Sequence, residues 1–248
     1  MSVSESESDS ESEPQEPRDE LAVVARGISQ RGPWGPVYGP LDFDIAASGV
    51  TVMVCPRGSG RTALLMTLAG RMKTRTGSLT VFGRRNAREI FGVAALSGID
   101  ELDEVAESVT VADVVTEHLR WNSPWYRRVP RARNAELARV CAPVFGPLAL
   151  PTLDDYVEEL SELDRRLLRI ALANAERPPL LVVADLDRVT SDRHRALLLD
   201  RLVALGRDQT VVTASVNGVP ADSGVRAQLV VDTVAVAEPV AEEQKGGR

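Results

Sequence analysis

Lysine is nearly missing from these 248 residues: only Lys73 and Lys245 occur, and the rest of the basic charge is arginine. A basic excess is missing as well. The formal net charge is −7, and residues 1–20 hold eight acids (Glu5, Glu7, Asp9, Glu11, Glu13, Glu16, Asp19, Glu20) against Arg18 alone, leaving 28 acids and 28 bases in the remainder. A near-neutral body lacks the basic face that nucleic-acid phosphates require, so no nucleic-acid partner is expected. Cysteine is scarce: Cys55 and Cys141 have neither metal-ligand nor disulfide spacing and are read as free thiols of a reducing compartment. The two histidines, His118 and His194, have no neighbours at metal or triad spacing and are read as packed or solvated. No apolar run approaches the roughly 18–20 residues that cross a bilayer, and the acidic N-terminus lacks the basic region of a signal peptide. A soluble, cytoplasmic chain is the expectation.

What is present is enough for one sizeable α/β domain with tails. The Ser/Glu alternation of residues 2–13 has too little apolar surface to fold, so 1–20 is expected to be a disordered acidic tail, 21–234 the folded domain and 235–248 a mobile C-terminal tail. Within the domain, strands are expected at Leu21–Arg26 and Leu41–Ala46, separated by the Gly/Pro-rich stretch Gly32–Pro40, and at Val50–Val54, Gly77–Gly83, Glu89–Val93, Leu180–Val183, Gln209–Ala214 and Ala227–Val231. Helices are expected at Ala63–Arg71, at Val111–Leu119 behind the N-cap Thr110, at Ala135–Val144, at Glu162–Ala175 behind Ser161, and at Asp192–Leu205 behind Ser191. Trp121–Arg133 reads as a loop. Its Trp121, Trp125 and Tyr126 beside Arg127 and Arg128 suit either local packing or an interface.

The most specific feature is VTVMV–CPRGSGRT–ALLMTLAGR, a strand, a glycine-rich turn and a helix over Val50–Arg71. In the phosphate-binding pattern G-x-x-x-x-G-K-[ST], small residues let backbone N–H groups converge on phosphate oxygens at a helix N-terminus. Gly58, Ser59, Gly60 and Thr62 keep that geometry. Cys55 stands at the first glycine position and Arg61 at the lysine. Arginine retains the cation, but its planar fork does not reproduce a compact ammonium. Arg57, Gly58, Ser59, Gly60, Arg61, Thr62 and Ala63 are therefore the candidate nucleotide-binding residues, and a strand-to-helix turn without a ligand is the alternative.

Further stations carry a family resemblance. GSLTVFG at Gly77–Gly83, SVTVADVV at Ser108–Val115 and LSELDRRLLRIALANAERPPLLVVADLD at Leu160–Asp187, in this order behind the P-loop, resemble the nucleotide-binding domain of ATP-binding cassette (ABC) transporters over about 21–232. The resemblance implies an α/β P-loop fold of ABC type, with a mainly parallel central sheet, an antiparallel β portion and an inserted helical subdomain at about 97–178. It also implies ATP and Mg²⁺ as ligands, a membrane permease subunit as partner, and a second ABC-type domain in a homo- or heterodimer. The location it implies is cytoplasmic and peripheral to the membrane through that partner.

The departures from the family pattern fall where ATP chemistry would occur. In the signature LSGGQ, Glu162, Leu163 and Asp164 replace the last three positions, bringing side chains and negative charge where backbone must approach phosphate. The Walker B aspartate and glutamate positions hold Ala184 and Asp185 without a gap, or Asp185 and Leu186 with a one-residue slip. Either way one carboxylate role is vacant. Asp185 is the candidate catalytic residue, with a strand-end cap as its alternative role, and Thr62 is the candidate Mg²⁺ ligand. The Q-loop glutamine falls near Leu96 and the switch histidine near Ser215, while Trp34 and Tyr38 are the aromatics nearest the place of an adenine platform. The expected function is an ATP-binding subunit of an ABC-type transport complex with weak or absent hydrolysis. A nucleotide-independent scaffold or regulatory adaptor is the alternative.

Overall fold

A computed structural model describes residues 20–99 and 109–233. The two expected tails, apart from Glu20, and the segment 100–108 lie outside the described residues.

Strand β1 (Leu21–Gly32) turns at Pro33–Trp34 into β2 (Gly35–Ala46), and β4 (Thr76–Val81) lies antiparallel on the other side of β1, giving the sheet order β2-β1-β4. The Gly/Pro-rich stretch Gly32–Pro40 therefore does not separate the first two strands as the sequence suggested. β2 is an edge strand, where prolines such as Pro36 and Pro40 interrupt no ladder between two neighbours.

The second sheet is parallel throughout, in the order β5-β6-β7-β3-β8. It consists of β3 (Gly49–Val54), β5 (Ala94–Ser97), β6 (Leu180–Val183), β7 (Thr210–Ser215) and β8 (Ala227–Val230). The central strands are apolar on both faces because both faces are covered. On one face Val50, Val52, Leu181, Val183 and Val211 pack against the helices α3 (Val111–Trp121), α4 (Asn134–Phe145), α5 (Glu162–Ala173) and α6 (Asp192–Leu205). On the other, Met53, Leu180, Val182, Val212 and Ala214 meet α1 (Ser59–Leu68) and the antiparallel sheet.

Two element assignments change. Glu89–Val93, expected as a strand, lies largely in a short helix, α2 (Ala87–Phe91), and the strand follows it at Ala94–Ser97. The Asn86 side chain accepts the Glu89 N–H at 2.9 Å and starts that helix, an N-cap that outweighs the weak apolar alternation. Helix α1 opens at Ser59, so the glycine turn is already helical, and it ends at Leu68 where Ala63–Arg71 was expected. Thr110, Ser161 and Ser191 cap α3, α5 and α6 as their sequence contexts indicate.

Candidate functional site

A parallel sheet brings the C-terminal ends of its strands to one edge, where ligands of open α/β folds sit. Here the ends of β3, β6 and β7 are neighbours: Val54 pairs with Ser215 and Val183 with Thr213, while the Cys55 N–H donates to Ser215 O at 3.0 Å. Residues separated by more than a hundred positions in sequence meet at this edge.

At its centre is Arg61. The side chain leaves the first turn of α1 and is buried, and its Nη1 donates to Asp185 Oδ1 at 3.1 Å and to Asp187 Oδ2 at 3.2 Å. Asp187 also accepts the Ser215 hydroxyl at 2.9 Å and the Val216 N–H at 2.5 Å, and Arg195 Nη1 lies 3.9 Å from it. Asp185 accepts the Asp187 N–H at 3.0 Å, fixing the 3-10 turn Leu186–Arg188 that follows β6. Burial raises the Asp185 carboxyl above its ordinary range, against the pull of Arg61 and the Asp187 N–H. Burial also works to raise Asp187, but the Val216 N–H, the Ser215 hydroxyl and Arg61 outweigh it and hold that carboxyl low.

The cation at the lysine position is thus joined to two carboxylates by charge-assisted bonds. Asp187 was not among the sequence candidates. The signal for it was an Asp-x-Asp pair closing an apolar strand, in a chain that carries arginine in its P-loop.

Around this network, Val37, Arg57, Gly58, Arg61, Thr62, Ala63, Met66, Met72 and Asp185 help line a cleft of about 490 Å³ at the start of α1. Gly58 has φ +150°, and an added Cβ there would meet nothing within 4 Å, so this turn faces open space. Gly60 is the opposite case: a Cβ would lie 2.4 Å from Val37 O and 2.7 Å from Thr233 O. Arg57 is exposed on the rim. A second cleft of about 520 Å³ shares Arg57, Asp185 and Arg188 with the first and extends to Glu162, Arg165 and Arg166 on α5.

The remaining candidates separate. Cys55 is buried, and desolvation pushes its thiol up to about 11, so it stays protonated at neutral pH; burial pushes Cys141 up to about 12. Ser161 acts as a cap, accepting the Asp164 N–H at 3.1 Å, while Glu162 accepts the Thr190 N–H at 3.1 Å and ties α5 to the loop before α6. Leu96 lies within β5, and Ser215 is committed to Asp187. Tyr38 is not available to an adenine ring: it is fully buried, with its hydroxyl 2.8 Å from Thr67 Oγ1. Trp34 is fully exposed at the β1–β2 turn. Trp121, Trp125 and Tyr126 are largely exposed, with Trp125 and Tyr126 edge to face at 5.9 Å, so the loop is not packed down by its aromatics. Burial lowers the His118 imidazole, and its Nε2 lies 2.9 Å from Asn122 Nδ2. No group of three or more His, Cys, Asp or Glu suited to a metal ion occurs among the described residues.

No protein-family model matches the chain. It is 26% identical over 166 residues to the cytochrome c biogenesis ATP-binding export protein CcmA of Pseudomonas putida, a match covering 66% of this chain and 73% of that one. For two further proteins of that name the match spans 57% and 64% of their length. It is 26% identical over 241 residues to the hemin import ATP-binding protein HmuV of Rhodococcus jostii, covering 92% of this chain and 72% of the relative. Among solved structures, an ATP-binding cassette of an ABC transporter in its ADP conformation superposes with a TM-score of 0.65 at 16% identity, covering 86% of this chain and 88% of that one. The fold is that of an ABC-type ATPase domain, and the chain is a recognisable relative of ABC ATP-binding proteins.

Proposed function

We propose that this chain is the ATP-binding subunit of an ABC-type membrane transport complex, and that it binds nucleotide through a modified P-loop with weak or absent hydrolysis. The observation that carries the second half is the ion network. Asp185, the one acid left at the Walker B positions, is paired through Oδ1 with Arg61, which draws its charge away from an attacking water, and the cation expected to track the transferring phosphate is tied to two carboxylates. Phosphoryl transfer depends on placed charge, so losing the lysine, one carboxylate and the signature glycines together removes most of the catalytic effect. The nucleotide would lie against the Gly58–Ala63 turn at the N-terminus of α1, with Arg57 beside it.

A membrane permease and a second ABC-type domain are the proposed partners, supported by the export and import proteins that the chain resembles. No described helix is long and apolar enough to cross a membrane, so attachment would run through the permease from the cytoplasmic side. A scaffold or regulatory adaptor is a second reading favoured by the same network, because side chains already bridge α1, the end of β6 and the end of β7 where a nucleotide would bridge them in an ATPase. Equilibrium ATP binding and ATP turnover by the purified chain, alone and with a co-expressed permease, decide the matter. Negligible turnover with saturable ATP binding is expected. Ordinary transporter rates abolished by Arg61→Ala would overturn the proposal, and absence of binding by a folded sample would leave the scaffold.

A further inference from the structure

Magnesium binds through oxygen ligands at about 2.0–2.1 Å, commonly with one or two carboxylates, and keeps several of its waters. The carboxylates beside Arg61 at the end of β6 are Asp185 and Asp187, since Ala184 offers none. Of their four oxygens three already accept from fixed donors: Asp185 Oδ1 from Arg61 and the Asp187 N–H, Asp187 Oδ1 from Ser215, and Asp187 Oδ2 from Arg61 and the Val216 N–H. The guanidinium 3.1 Å from one carboxylate and 3.2 Å from the other is itself a fixed cation, and a divalent ion brought beside it would be repelled at close range. The two carboxylates do not fit Mg²⁺, and they leave the Thr62 hydroxyl on the cleft lining without a carboxylate to share the ion. Arg61 already supplies the positive charge beside both acids.

The residues of the cleft fit an anion that arrives without its metal. Arg61 is 3% exposed, and while Nη1 is spent, Nη2 is buried and has no hydrogen-bond partner among the described residues. A buried guanidinium donor left unsatisfied is costly, and an acceptor oxygen entering the cleft would relieve it. The cleft that Arg61 lines is also bordered by Arg57, exposed and one residue before the open Gly58. One cation is therefore committed with a spare donor, and a second stands at the mouth.

We infer that this site takes a polyphosphate anion, a nucleoside triphosphate in particular, free of any divalent cation, with Arg57 and the second terminal nitrogen of Arg61 supplying the positive charge. This rests on the nucleotide reading above and changes its cofactor. Arg57 becomes the main phosphate-contacting cation of the loop, a role the lysine position would hold in the unmodified pattern. Arg61 is a strut that keeps one donor in reserve.

The test is equilibrium binding of ATP to the full chain, by calorimetry, in excess EDTA and in excess MgCl₂, with inorganic tripolyphosphate as competitor. Arg57→Ala and Arg57→Lys are the variants; residue 57 is exposed, so neither is expected to disturb folding. Binding no weaker in EDTA than in Mg²⁺, displaced by tripolyphosphate, weakened about tenfold or more by Arg57→Ala and partly restored by Arg57→Lys is the expected result. Tightening of tenfold or more by Mg²⁺, failure of tripolyphosphate to compete, or an Arg57→Ala variant that binds like the parent overturns the inference while leaving nucleotide binding in place. No binding in either buffer by a chain that melts cooperatively overturns both.

Discussion

Two arginine–aspartate contacts in this molecule look alike on paper and differ in everything that follows from them. On the antiparallel sheet, Arg26 of β1 grips Asp44 of β2 through both nitrogens, at 2.6 Å and 2.8 Å, with side chains 50% and 40% exposed. At the edge of the parallel sheet, Arg61 reaches two aspartates through one nitrogen at longer distances, with side chains 4%, 12% and 7% exposed. The better geometry belongs to the pair with less at stake. Water and salt can stand in for either partner of an exposed pair, so such contacts contribute little. Arg61 is harder to replace, because its removal leaves two adjoining, largely buried acids with only the neutral donors of Ser215, Val216 and the Asp187 N–H and the more distant Arg195.

That contrast can be broken by experiment. Arg61→Ala is expected to cost about 3–5 kcal/mol, the range for removing one partner of a buried ion pair, read as a lower urea midpoint with unchanged slope. A loss no greater than that of an ordinary surface substitution would show that the network is solvated.

The two aspartates should then divide. Asp187→Asn is expected to cost about 2–3 kcal/mol at pH 7, because a carboxylate held by charged and backbone donors is lost, whereas Asp185→Asn should cost clearly less, because burial already disfavours its charge. The pH dependence has opposite signs. Asp187 is depressed in the fold, so its contribution is present above the unfolded carboxylate value and is lost as pH falls through the folded one. Asp185 is raised, so it favours the fold at low pH and loses that contribution as pH rises through its folded value. Urea midpoints followed from neutral pH down through and below the unfolded carboxylate value, compared for the two Asn variants, should depart from the parent in opposite senses, Asp187→Asn below that value and Asp185→Asn above it. Parallel slopes would contradict this division.

The smallest effect is expected at the surface. Arg26→Ala should leave the midpoint within ordinary error, and molar NaCl should erase what difference there is. A salt-insensitive loss at Arg26 would reverse the comparison.

The sequence announces the apolar strands and the capped helices plainly, because each is a local pattern. Leu180–Val183 and Asp192–Leu205 lie where their composition puts them, and Thr110 begins α3 as its hydroxyl allows. The segment after β4 was harder. Asn86-x-x-Glu89 is a helix-start signal, but a helix of five residues has too few apolar positions to show a period, and the strand behind it took its place in the reading. The site was legible as a place and not as a network. Cys55–Thr62 and Asp185 marked the strand edge, yet the destination of the Arg61 guanidinium depends on Asp187 and Ser215, which only the parallel register brings beside it. Tyr38 misled for a related reason. An aromatic in a Gly/Pro-rich stretch reads as exposed until the edge strand that buries it is seen.

The two glycines that open α1 also carry different kinds of information. Gly60 is squeezed between the carbonyls of Val37 and Thr233, atoms of the main chain that no rotamer change can move aside, so the fold demands it whether or not anything ever binds. A copy of this domain that had abandoned its ligand altogether would still spell glycine at that position, and would still look like a P-loop to anyone reading letters. The trace of a living ligand has to be sought where the fold is indifferent, in side chains such as Arg57 that could be anything at all without disturbing a single neighbour's backbone.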